Sequence, residues 1–197
     1  MLTEKKSSPV LISDEHQTTV TSLTVVSTSD LKDYLEVTHS EDDTQIDSHL
    51  LTAIDWFERI TGHMVNEQTR KAIFDRESNE FELPSMPVSS IDSVDASEEG
   101  TKTSQTISNF YLYGSSPPCV RVKDTHSWGH PLDSVEITYT AGYSDVGDVP
   151  PGVKEMLKKM VADLYESRSS ITEESGTPSE LPMNWKSMLF PYSVIRL

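Results

Sequence analysis

Val135-Glu-Ile-Thr-Tyr-Thr-Ala-Gly-Tyr143 is followed, after a short polar stretch, by Val149-Pro-Pro-Gly-Val-Lys-Glu-Met-Leu-Lys-Lys-Met-Val-Ala-Asp-Leu-Tyr-Glu-Ser-Arg168. The first part alternates apolar and polar residues over Val135–Tyr139, the period of a strand with one buried face. The second part changes period. Pro150 and Pro151 suit a helix start, where the first amide donors have no intrahelical partner to lose. Val153, Met156, Leu157, Met160, Val161, Leu164 and Tyr165 then recur at helical spacing as a wide apolar stripe. Lys154, Lys158, Lys159 and Arg168 lie largely off that stripe. The expectation is a strand, a turn and a long helix running to about Ser169.

Working outward, a second amphipathic helix is expected from Ser40 to Gly62. Asp43 follows Ser40 at capping-box distance. Ile46, Leu50, Ala53, Ile54, Phe57 and Ile60 share one face, and Gly62 is a natural stop. A shorter helix, Asp30 to about Glu36, is expected to be capped by Ser29 with Asp30 and Asp33 in its first turn. Between the helices the chain reads as short strands: Lys71–Asp75, Glu80–Leu83, Val88–Val94, Phe110–Tyr113, Val120–Lys123 and Val135–Tyr139. Pro84, Pro87, Pro117 and Pro118 flank these strands instead of interrupting them. Residues 1 to about 27 read as an arm with a possible strand at Thr18–Val26 that needs a partner to be ordered.

The expected fold class is α+β: a small helical bundle, made of two N-terminal helices and a long C-terminal helix, with an inserted antiparallel β-domain. The expected divisions are an arm at 1–28, a helical part at 29–66, the β-domain at 67–148 and the long helix at 149–170. A linker and C-terminal tail occupy 171–197. That tail is apolar again, holding Leu181, Trp185, Leu189, Phe190, Tyr192 and Ile195. Burying one such side chain fully contributes roughly 1.5–3 kcal/mol. The tail either folds back on its own core or docks on a neighbouring subunit or partner.

Composition narrows the function. The 197 residues carry 32 acidic against 16 basic side chains, a net charge of −16. A protein gripping the DNA backbone needs clustered Lys and Arg, and that footprint is missing. Cys119 is the single cysteine, so no intramolecular disulfide forms. No apolar h-region follows the N-terminus and no run approaches a membrane span, so neither a secretory signal nor a membrane role is expected. On an acidic molecule, Lys154, Lys158 and Lys159 give the long helix a basic edge. It reads either as a solvated face or as a contact for an acidic surface, such as that of a neighbouring copy.

Three constellations bear on chemistry. Cys119, Asp124, His126 and His130 are metal-ligating types in one short stretch, and a metal-dependent hydrolase would be built there. Strong zinc signals place paired CxxC or HxxxH elements on defined turns or helices; here His126 and His130 flank Trp128-Gly129 in a loop and a CxxC is absent, so no metal is expected. Asp42-Asp43, Glu98-Glu99 and Glu173-Glu174 are carboxylate pairs in polar stretches, where solvation keeps both acids alike and gives no acid–base division of labour. Trp128, Tyr111 and Tyr113 would stack on a ligand if the β-domain were a carbohydrate or receptor-binding module. Aromatics in short strands more often form core or cross-strand pairs. GxSxG, a Gly-rich phosphate loop and HExxH are all absent from the sequence.

Four stretches in order resemble the head-tail connector (adaptor, or head-completion) proteins of tailed bacteriophages. Trp56-Phe-Glu-Arg-Ile-Thr-Gly62 is similar to that family's "A…E…TG" helix end. Leu83-Pro-Ser-Met-Pro-Val-Ser-Ser-Ile-Asp-Ser-Val94 resembles its "L…PV.SI.SV" strand. The opening stretch, Val135 to Arg168, is similar to "V.Y.AGY…VP..LK.A…LV..LYE.R". Leu189-Phe-Pro-Tyr192 resembles "LL.PYR", with Ser193 where Arg is usual. The resemblance spans about residues 29–197.

It implies a structural protein with no catalytic residue and no cofactor. Copies would form a ring, commonly twelve-fold in relatives, in the virion neck at the head-tail interface, after assembly in the host cytoplasm. The ring would join the portal protein of the capsid to a stopper or tail-completion protein. Double-stranded DNA would pass through without specific binding. The residues expected to meet partners are Lys154, Lys158, Lys159, Leu181, Trp185, Leu189, Phe190, Tyr192 and Ile195.

Overall fold

In the computed structural model, residues 8–19, 24–129, 132–166, 185 and 188–192 are described. In chain order they form β1 (Leu11–Thr19), α1 (Thr28–Leu35), α2 (Asp43–Thr61), β2 (Gln68–Phe74), β3 (Glu80–Glu82), β4 (Val88–Glu98), β5 (Thr101–Ser104), β6 (Phe110–Tyr113), β7 (Cys119–Val122), β8 (Ser134–Ala141) and α3 (Pro151–Glu166). The chain divides into a β unit, residues 1–22 and 66–142, and a helical unit, residues 23–65 and 143–197. The class is α+β, as the change of sequence period implies. No helix among the described residues is long and apolar enough to cross a membrane.

The β unit holds a five-stranded sheet in the order β1-β2-β8-β4-β5 and a three-stranded sheet in the order β3-β7-β6. All the pairings are antiparallel. β8 is the central strand of the larger sheet, and its alternation is complete. Val135, Ile137, Tyr139 and Ala141 are buried, while Ser134, Glu136, Thr138 and Thr140 remain partly exposed. Phe74 on β2 and Phe81 on β3 stack with ring centroids 4.9 Å apart, so the two sheets share one apolar interior.

One polar cluster sits inside this unit. The Tyr139 hydroxyl, on a fully buried residue, donates to Asp14 Oδ1 at 3.0 Å. Arg70 approaches Asp14 Oδ2 at 2.5 Å through Nη2 and 2.8 Å through Nε, and Ser85 Oγ donates to the same oxygen at 3.1 Å. A carboxylate this enclosed is stable only when paired and hydrogen-bonded, and Asp14 has both kinds of partner. Burial, reinforced by the Asp14 charge, pushes the Tyr139 hydroxyl well above its ordinary range, so it remains a donor. The cluster ties β1 to β2, β8 and the Pro84–Met86 segment.

The N-terminal strand therefore lies earlier than the sequence suggests. It covers Leu11–Thr19, and Val25 and Val26 are buried in the helical unit instead. β5 was not anticipated, because Thr-Lys-Thr-Ser has no apolar alternation and all four residues are exposed. It arises from the two-residue turn Glu99-Gly100, whose φ angles of 47° and 78° match a type I′ hairpin.

In the helical unit, α2 and α3 bury Ile46, Ala53 and Phe57 against Val153, Met156, Leu157, Met160 and Val161. The capping box belongs to α1 and begins at Ser27, two residues before the expected Ser29. Its side chain accepts from the Asp30 amide at 3.0 Å, and the Asp30 carboxylate accepts back from the Ser27 amide. That hydrogen bonding holds the Asp30 carboxyl below the usual carboxylate range. At α2 the expected cap at Ser40 is replaced by Asp42, with no side-chain capping bond. Gly62 ends α2 at φ 74° as expected, whereas Ile60 turns outward from the apolar face. α3 is described to Glu166, and its expected end near Ser169 lies outside the described residues.

Gly142, the glycine of Ala141-Gly-Tyr143, closes the β unit at φ 113°. A Cβ there would lie 2.2 Å from the Asn66 carbonyl oxygen and 2.8 Å from Glu67 Cα, so both the conformation and the backbone spacing require glycine. Gly142→Ala is expected to destabilise the protein by about 2–4 kcal/mol. Gly129→Ala, at φ 80° with open space around it, is expected to cost only about 1 kcal/mol. Equal losses for the two variants in urea denaturation would contradict the close-approach argument.

Candidate functional site

The basic edge of α3 exists, but its three lysines are not equivalent. Lys158 Nζ donates to Glu155 Oε1 at 3.0 Å, one turn away. Lys154 and Lys159 keep their stems half-buried and make no ion pair with a described residue. An amphipathic stem covered by protein leaves the ammonium at the surface, where a carboxylate from another chain can reach it. On α2, Leu51 is 69% exposed between the exposed Asp47 and Asp55. One side of the helical unit thus offers free cations, and α2 offers an apolar side chain framed by carboxylates.

The tail is anchored on its own unit. Trp185 is buried, its Nε1 donates to Asp163 Oδ2 at 2.5 Å, and its ring packs 5.3 Å from that of Trp56. Leu189 is buried beside the same core. Tyr192 stands edge-on to Phe57 at 6.1 Å and to His63 at 5.9 Å. Its hydroxyl lies where a Cβ on Gly152 would be, 2.5 Å away. Trp185 and Leu189 therefore offer no free surface to a partner, contrary to the expectation for them. A short greasy segment gains more by covering its own core than by waiting exposed. Phe190 is the exception at 65% exposed, presented by a turn held on both sides. Leu181 and Ile195 lie outside the described residues.

The supposed metal loop is built differently. Cys119 lies on β7, with Asp124 and His126 in the turn beyond it. Nδ1 of His126 lies 3.2 Å from Asn109 Nδ2, and its ring packs against Phe110 at 5.4 Å and Trp128 at 4.8 Å. It belongs to an aromatic cluster. No group of three or more ligating side chains converges among the described residues, and His130 lies outside them. Burial, with the charges of Glu80 and Glu82, pushes the Cys119 thiol up to about 11, so it stays a thiol near neutrality. Trp128 is committed as well, donating from Nε1 to the Ser78 carbonyl at 3.1 Å and packing against Phe81 and Phe110. Tyr111 and Tyr113 are exposed, and the Arg121 guanidinium lies 3.8 Å over the Tyr113 ring while bonding Glu80 at 3.2 Å. The Asp42-Asp43 pair is divided: Asp42 accepts from the Tyr165 hydroxyl, and Asp43 pairs with Lys32. Sequence periodicity missed the Asp14 cluster, because its members are far apart in the chain and each looks like an ordinary strand residue.

Two expectations follow for the tail and its surroundings. Trp185→Ala removes a buried indole and its hydrogen bond and is expected to cost about 3–5 kcal/mol, whereas Phe190→Ala is expected to stay within about 0.5 kcal/mol of the parent in chemical denaturation. His63 is half-buried, its Nδ1 has no hydrogen-bond partner, and burial lowers its pKa from 6.5. The unfolded chain then binds the proton more readily than the folded one. The His63 contribution to stability is complete above about pH 6.5 and declines as pH falls through the histidine range. Melting temperatures measured across that range should fall less for His63→Phe than for the parent; parallel curves would reject this role.

No family model matches the sequence, and no curated protein sequence matches it. Solved structures do match in fold. A chain in the neck of an empty gene transfer agent (GTA) particle, solved with C6 symmetry, superposes with a TM-score of 0.67 at 18% identity, covering 94% of this chain and 97% of that one. A chain of the native GTA virion gives 0.67 at 18% identity, covering 91% and 95%. A chain in the neck of the native GTA particle, solved with C12 symmetry, gives 0.61 at 17% identity, with the same coverages of 91% and 95%. Along nearly its whole length, this chain has the fold of a protein found in the neck of the gene transfer agent particle.

Proposed function

We propose that this chain is a structural subunit of a ring-shaped head-tail adaptor in a phage or phage-like particle. The observation that carries the proposal is the fold shared with neck chains over 94% and 91% of the sequence, those necks having been solved with C6 and C12 symmetry respectively. In this reading the ring joins the portal protein on one side to a stopper or tail-completion protein on the other, and the genome passes through its centre. The connector-like motifs support the same assignment.

A ring requires two different contact patches on each copy, since each subunit meets one neighbour with one face and the next with another. Lys154 and Lys159 supply a cationic patch, and Leu51 with Asp47 a patch of opposite charge beside an apolar side chain, Asp55 being paired with Arg59. Phe190 is the natural knob for a pocket on the portal. Weak contacts repeated around a closed ring add up through effective concentration, so modest patches suffice. A net charge of −16 repels phosphates and leaves DNA free to slide through the channel.

Electron microscopy of the purified protein, alone and mixed with its portal, is expected to show closed rings. A chain that stays monomeric and ignores the portal overturns the proposal. Reversing both unpaired lysines (Lys154→Glu with Lys159→Glu) should abolish rings while leaving folding stability within about 0.5 kcal/mol. Rings that survive the double reversal would place the subunit contact elsewhere.

A further inference from the structure

The two outer edges of the five-stranded sheet are each unusual. Val10, just before β1, and Ile12, near its start, are 59% and 61% exposed. At the opposite edge β5 is a strand with no buried side chain, held to the sheet by its hairpin with β4 and by the Lys102–Glu136 pair to β8. A strand that adds no apolar burial to its own core, and a strand edge whose backbone groups have no described partner, are both liabilities for an isolated molecule.

The geometry points to one occupant for both, a second copy of this chain: we propose that β5 of one subunit adds to β1 of the next and makes the β-sheets continuous around the assembly. This rests on the ring reading above. The lengths agree. β1 is broken by register shifts at Leu11/Ser13 and His16/Thr18, which leave Ser13–His16 as its run in regular register. β5 is Thr101–Ser104, the same number of residues. Opposite charges stand on the two edges as well: Glu15, which pairs with Lys71 at 3.4 Å, is half-exposed on β1, and Lys102, which pairs with Glu136 at 2.6 Å, is half-exposed on β5, so each has a side open to a second partner. The edges lie on opposite sides of the sheet, so the contact is head-to-tail and closes only by rotation, as a ring requires. Strand addition draws its affinity from main-chain hydrogen bonds and its selectivity from alternate side chains. The bulges flanking Ser13–His16 limit the pairing to one short strand, which guards against open-ended stacking.

The test uses the full-length chain with its native thiol removed by Cys119→Ser. Glu15→Cys and Lys102→Cys are introduced together and separately, and the samples are treated with a short bis-maleimide. Ring formation is followed in parallel by electron microscopy, with and without portal. The double variant is expected to give a denaturation-resistant ladder ending at the full ring, and each single variant essentially monomer. Rings by microscopy with no ladder overturn edge pairing and leave the ring reading intact. Dimers from Glu15→Cys alone mean that β1 meets β1 across a twofold axis, which also overturns it. No rings under any condition removes both readings.

Discussion

An excess of acid shapes every polar decision in this molecule. With 32 carboxylates and 16 basic side chains, each cation is needed somewhere. Arg70 neutralises Asp14 inside the β unit, Arg121 holds Glu80, and Lys71 and Lys102 share Glu136. In the helical unit Lys32 pairs with Asp43, Arg59 with Asp55, and Lys158 with Glu155. The exposed pairs are worth little individually. Their collective effect is to relieve local repulsion wherever strands or helices bring carboxylates together. Against that pattern, Lys154 and Lys159, on one helix and with no ion pair to a described carboxylate, stand out.

The Asp14 cluster shows the same constraint in a buried setting. Tyr139 has to be apolar enough to fill the centre of β8 yet brings a hydroxyl that needs an acceptor. Asp14 supplies it, and Arg70 and Ser85 make the carboxylate tolerable there. The consequence is that an otherwise polar N-terminal strand is fixed as the sheet's edge. Its position, rather than any apolar content, gives the sheet an open border opposite the β4–β5 hairpin.

The fold class and the long elements were readable because burial imposes a period. Val135–Ala141 alternates and α3 carries a continuous stripe, so neither needed tertiary information. Gly142 was visible as part of a motif, but its reason, a backbone oxygen 2.2 Å from where a Cβ would be, depends on a contact distant in sequence. Helix starts were misplaced by a residue or two because Ser27, Ser29, Ser40 and Asp42 are chemically interchangeable as caps, and only the incoming backbone selects among them. β5 was invisible because a strand without buried residues has no pattern to detect. The tail was half legible: its apolar content announced burial, while whether Trp185, Leu189 and Tyr192 would meet their own core or another chain was a question of geometry.

That geometry bears on how such a subunit assembles. A tail that closes over α2 and α3 makes the helical unit complete before any partner arrives, so the chain need not carry a large sticky surface through the cell. Among the described residues, what remains outside is scattered: lysines on α3, Leu51 and Phe190 on the helical unit, and single exposed side chains such as Tyr111 and Tyr113 with two strand edges on the β unit. Each is too weak to hold a stable pair. In the proposed ring their strength would come from many copies brought to one place at once, as on a symmetric template. Contacts of this kind specify charge and backbone direction more than side-chain shape, so they constrain residue identity loosely. A fold shared at a TM-score of 0.67 with 18% identity agrees with such loose constraint, because what this chain's own fold demands is an interior period and a glycine at 142 more than any particular outward residue.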